Sequence, residues 1–125
     1  TMSEQRAADE LGADVWRGAR WGVLGATGAA RIARESDDPV TLANARNALN
    51  HAWTLVLVVV SIAVLVPMVS QLVAGPEAWS LSWVIVCFGI VGLGGSSLLH
   101  SARGVAAAER GEVYRAPQTV PFVRA

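Results

Sequence analysis

Lysine is absent from this chain: all ten basic residues are arginine, and they balance ten acidic residues to a net charge of zero. With no lysine-rich or aromatic-basic stripe, nucleic acid is excluded as a partner, and the arginine bias reads as the coding composition of a GC-rich bacterial genome. Cysteine is nearly absent too. The single Cys87 sits in an apolar run without a second thiol, so neither an internal disulfide nor a cysteine-based metal site can be built. The opening TMSEQRAADE is polar and acidic, lacking the basic-then-apolar order of a secretory leader, so insertion is expected to use the first long apolar segment.

Catalytic signatures are missing as well. No Ser/His/Asp set, metal-ligand spacing or close pair of buried carboxylates can be assembled, so the chain is expected to be no enzyme, with no catalytic residue, metal site or cofactor. Residues 23–28, VLGATG, have the glycine density of a phosphate-cradling turn. The context is wrong for one, because no strand precedes it and Arg31 stands where the last glycine is needed.

What the chain has in abundance is uncharged apolar sequence, 53% of its 125 residues. Residues 53–74, WTLVLVVVSIAVLVPMVSQLVA, carry no charge and as a helix would extend roughly 33 Å, the thickness of a bilayer core. A buried strand is the rival for so valine-rich a run, but strands meet turn signals far sooner. The Gly75-Pro76-Glu77-Ala78 sequence is a helix stop followed by a restart, and residues 79–99, WSLSWVIVCFGIVGLGGSSLL, form a second uncharged run. The expected fold is therefore all-α: an integral membrane helical hairpin of two transmembrane helices, with an N-terminal amphipathic or interfacial helix and an extended C-terminal tail. Residues 1–38 form the N-terminal cytoplasmic or interfacial segment, 39–110 the hairpin and 111–125 the tail.

Arginine placement orients the hairpin. Arg34 and Arg46 precede the first span, Arg103, Arg110 and Arg115 follow the second, and the intervening turn holds only Glu77. Both termini are thus expected to be cytoplasmic, in a multi-pass protein of the plasma membrane. Trp53 on the inner side, Trp79 and Trp83 on the outer side, and Arg103 are the expected interfacial anchors. Asp37-Asp38-Pro39 is a helix start, with Asp38 as N-cap, so the first long helix begins well before its span and reaches Pro67 as a kink site. Upstream, a helix from Ser3 to about Arg34 is interrupted by glycines, and Gly18, Gly22, Gly25 and Ala29 share one face of it. Its middle, residues 15–34, mixes tryptophan, small residues and arginine as a headgroup-level segment does. The tail, with Pro117 and Pro121, either dangles or docks on a partner.

Rotation by 100° per residue puts Asn47, Asn50, Thr54 and Ser61 within about 60° of one another on the first helix. Unpaired amides and hydroxyls are costly in lipid, so this face is expected to meet another helix or line a wet path. On the second helix the same rotation gathers Gly89, Gly92 and Ser96 into a groove that suits the first helix or a second copy. These residues point to a non-catalytic structural or accessory subunit, with the lipid bilayer and other membrane subunits, or copies of itself, as partners. One alternative is a homo-oligomeric, holin-like pore lined by the polar face. The other is a haem-bearing anchor using His51 and His100, the only histidines, both near the cytoplasmic end of the hairpin.

Overall fold

The computed structural model describes residues 1–117 and 119–122, and no strand occurs among them. The first helix, α1 (Met2–Ala19), opens with a capping box, in which the Thr1 hydroxyl accepts from the Glu4 amide while the Glu4 carboxylate reaches back to the Thr1 backbone nitrogen. The chain then turns at Gly22, whose φ of 83° lies in the left-handed region that favours glycine. In place of one interrupted helix, α1 and α2 (Val23–Ala33) fold back on each other. Gly18 and Gly25 meet backbone to backbone, since a Cβ on either would overlap the other's carbonyl oxygen. The glycines of the VLGATG sequence thus serve helix packing.

The long helix α3 (Pro39–Ala74) starts at its proline, with the Asp38 carboxylate accepting from the Thr41 amide at 2.9 Å. Pro67 lies inside α3 without ending it. Gly75, with a φ of 84°, and a single 3₁₀ turn at Pro76–Ala78 lead into α4 (Trp79–Glu109), which runs back along α3. Gly89 lies beside Ile62, and Ser97 beside His51, fixing that antiparallel pairing.

Each long helix has two different halves. Before residue 53, α3 is wrapped by α1, α2 and the last turns of α4 around a core made largely of alanine: Ala13, Ala26, Ala30, Ala45, Ala48, Ala52 and Ala108, with Val15, Leu49 and Trp16 as the large members. Side chains this small let helix axes approach closely. The Ala8 carbonyl accepts from Thr41 Oγ1 at 2.8 Å, and Gly12 faces Asn44 and Ala108, so α1 runs parallel to α3 and antiparallel to α4. Arg17 bridges Asp14 and Glu109 across the surface, an exposed pair of small energetic weight. Within two turns beyond residue 53 the cover from α1, α2 and the tail ends, and Val60, Val64, Phe88 and Val91 are more than half exposed. Both long helices are long and apolar enough to cross a membrane.

Trp16 is the largest fully buried side chain, and a Cβ at position 104 would overlap its indole ring. Gly104→Ala is therefore expected to destabilise the bundle by about 1–3 kcal/mol through overpacking. Gly95→Ala, where a Cβ meets open space, should leave stability unchanged or slightly raised. Thermal unfolding of the two variants in detergent, followed by circular dichroism, checks both.

Candidate functional site

Polar side chains concentrate where the four-helix bundle gives way to the exposed apolar halves of α3 and α4. Asn44 is fully buried at the centre of the bundle and uses its amide in both directions. Its Oδ1 accepts from Trp16 Nε1 at 3.1 Å and from the Tyr114 amide at 3.0 Å, while its Nδ2 donates to the Glu112 carbonyl at 2.9 Å. One side chain thereby joins α1, α3 and the segment following α4. Further along α3, Asn47 Nδ2 donates to the Tyr114 carbonyl at 2.9 Å, and Thr54 Oγ1 accepts from the Val120 amide at 3.0 Å while donating to the Asn50 carbonyl at 2.7 Å. An extended strand-less tail satisfies few of its own backbone groups, and these side chains supply further partners. The tail is docked on its own chain, at least through the described residues; Gln118 and residues 123–125 of the expected tail lie outside them.

The two histidines meet at this junction. Their rings lie edge to face with centroids 5.6 Å apart; Tyr114 Oη and His100 Nδ1 are 2.8 Å apart, and Ser97 Oγ and His51 Nε2 3.4 Å. Trp16 closes the cluster, with its ring centroid 6.1 Å from His51 and 5.4 Å from Tyr114. Burial, and secondarily the neighbouring His100, pushes the His51 pKa down to about 4 from the ordinary 6.5, so this imidazole is neutral at physiological pH. Ser101 Oγ, one turn along α4, is buried without a hydrogen-bond partner. Among the described residues no group of three or more His, Cys, Asp or Glu side chains is placed to hold a metal ion. The chemistry available is that of a hydrogen-bonded polar knot.

The polar row of α3 and the small-residue row of α4 do not face each other. Asn47 and Thr54 turn to the tail, Asn50 is buried beside them, and Ser61 donates to its own helix at the Leu57 carbonyl, 2.7 Å away. On α4, Gly89 touches α3 at Ile62, whereas Gly92 has open space around it and Ser96 is exposed. The side of α4 turned inward carries Ser82, Val86, Ser97, Ser101, Gly104 and Ala108, one position further round the helix. Trp53 lies half exposed at the junction, Trp79 and Trp83 pack edge to face with centroids 5.6 Å apart at the far end, and Arg103 is exposed. Asn44 carried a signal that sequence reasoning missed: it precedes His51 by seven residues, two helical turns, and so shares its face. Tyr114 carried none, because a non-periodic tail gives no facing rule.

Compared with known proteins, the chain matches no family model, no curated protein and no solved structure.

Two outcomes follow from this geometry. Asn44→Ala would strand the Trp16 indole N–H, the Tyr114 amide and the Glu112 carbonyl, and is expected to destabilise the protein by about 3 kcal/mol and to release the tail to proteolysis. His51 precedes the uncharged run of α3, and its lowered pKa means that the unfolded chain binds a proton near pH 6.5 that the folded chain refuses until about pH 4. Its contribution is intact above pH 6.5 and is lost as pH falls toward 4. Melting temperature against pH for the native chain, compared with His51→Gln, should show an excess decline confined to that window; His100 is the titratable group in ring contact with His51, and Tyr114 in turn contacts His100.

Proposed function

We propose that the chain is a non-catalytic integral membrane protein that acts as a structural or accessory subunit of a larger membrane complex. The observation that carries this reading is the contrast between the two halves of the long helices. Their most apolar stretches are only 11% and 17% buried within the chain, so a large apolar surface is left for lipid and for other subunits. A soluble fold would cover these residues. The arginines on either side of the uncharged runs, against Glu77 in the turn, favour both termini on the cytoplasmic side of the plasma membrane.

The polar residues support a packing role over a conducting one. Asn47 and Thr54, the strongest candidates for a wet lining, bond the tail, and Ser61 bonds its own helix. The row that remains free is Gly92 and Ser96, where a neighbouring helix gains close backbone approach. A homo-oligomeric pore would use the same row to set the spacing between copies. A haem-bearing anchor would require His51 and His100 to separate from direct ring contact.

Purification from the native membrane in mild detergent, followed by native mass spectrometry, is expected to yield a stable hetero-complex; repeated recovery of the chain alone would contradict the subunit reading. Gly92→Leu, which fills open space in the isolated chain, should weaken that complex without lowering the melting temperature of the chain itself. Planar-bilayer recordings with the purified protein are expected to be silent, and a conductance that Gly92→Leu abolishes would favour the pore.

A further inference from the structure

Two segments that are not part of the long apolar helices reach the same height on them from different sides. The corner between α1 and α2 stands over a shallow recess walled by Ala19, Arg20 and Gly22 on one side and by Leu55, Val59 and Leu98 on the other. It therefore lies beyond Trp53, alongside the first turns of the uncharged run. The tail reaches the same level, because the Val120 amide donates to Thr54 Oγ1 at 3.0 Å. Thr54 and Leu55 are successive helical residues, about 100° apart around α3, so tail and corner occupy different sides.

Both segments end in apolar side chains with nothing over them. Trp21 and Leu24 at the corner are 84% and 89% exposed, and Val120 and Phe122 on the tail are also exposed. In water, that arrangement places some of the largest apolar side chains of the bundle where they lose most by hydration. Arg20 stands at the corner itself, and Arg103 lies further along α4 toward the bundle, one turn past Leu99; neither forms an ion pair with the described residues. Exposed apolar and indole groups at the level where the apolar run begins, with a guanidinium beside them at Arg20 and a second, at Arg103, further toward the bundle, match the order of acyl chain and phosphate met on leaving a bilayer core. The recess under the corner is itself lined by apolar residues of both long helices, Leu55 and Val59 of α3 and Leu93 and Leu98 of α4.

We propose that the α1–α2 corner, residues 20–24, and the tail end, residues 120–122, are immersed in the headgroup and upper acyl layer of the leaflet on the bundle's side, forming with Trp53 a collar around the base of the two spans. The remainder of α2 descends along α3 away from the lipid, so Ile32, although exposed, faces water. The inference rests on the membrane-spanning reading, and its test separates the two.

Single nitroxide labels at Trp21→Cys, Leu24→Cys, Val120→Cys, Ile32→Cys and Val64→Cys, each in a Cys87→Ser background, are placed in lipid nanodiscs of zwitterionic and anionic phospholipid. Power-saturation spectroscopy with oxygen and a water-soluble nickel chelate then reports depth. All these positions are at least two-fifths exposed, so labelling leaves the packing intact. The expected result is a several-fold higher oxygen-to-nickel accessibility ratio at positions 21, 24 and 120 than at 32, with the highest ratio at 64. Ratios at 21, 24 and 120 equal to that at 32, with 64 still shielded from nickel, would overturn the collar and leave the patch as a protein-binding surface. Free access of nickel to 64 would overturn the spanning reading and the collar with it.

Discussion

The Trp16 indole holds this fold together. It lies where α4 has Gly104 and no side chain, and its N–H is spent on Asn44 of α3, so a single ring sets the spacing of three helices. Apart from Val15 and Leu49, the rest of the buried bundle core is alanine, which contributes closeness but little buried area per residue. Trp16 therefore contributes a disproportionate share of the burial in a small core, and Asn44 makes that burial possible by satisfying the indole N–H. The same Asn44 oxygen accepts from the tail, so helix spacing and tail docking depend on one amide.

From that contact follows the division of the molecule. Where α1 and α2 pack, α3 and α4 present alanine, glycine and hydrogen-bonded polar groups to neighbours in the same chain. Past Trp53 they present valine, leucine, isoleucine and phenylalanine outward with no cover. The histidine pair, Ser97, Tyr114 and Thr54 sit at the change between these regimes, where polar groups are held by protein partners instead of water. Such a joint ties α1 and the tail to the long helices.

Much of the architecture was legible in the sequence. The start of α3 was written in Asp37-Asp38-Pro39 and the reversal in Gly75-Pro76, because caps and breakers act within a few residues. The N-terminal third was less legible: several glycines were equivalent candidates for a break, and only Gly22 adopts the positive φ that folds α1 onto α2. The facing of the polar row was legible as a row but not as a contact. Asn47 and Thr54 do share a side of α3, yet a helical wheel has no place for an aperiodic tail, which is what that side meets. The rows on α4 differ by one position, a rotation of about 100°, and composition alone does not choose between a glycine-rich row and a serine-alanine row.

The central claim is that the exposed apolar halves of α3 and α4 cross a bilayer, with the bundle and tail on one side and the Glu77 turn on the other. Cysteine substitutions at Ser3 and Glu77 in a Cys87→Ser background, probed with a membrane-impermeant maleimide in sealed vesicles of known orientation, test it most directly. The account predicts that Glu77→Cys is labelled only from the outside and Ser3→Cys only from the cytoplasmic side. Labelling of both positions from the same side would contradict it.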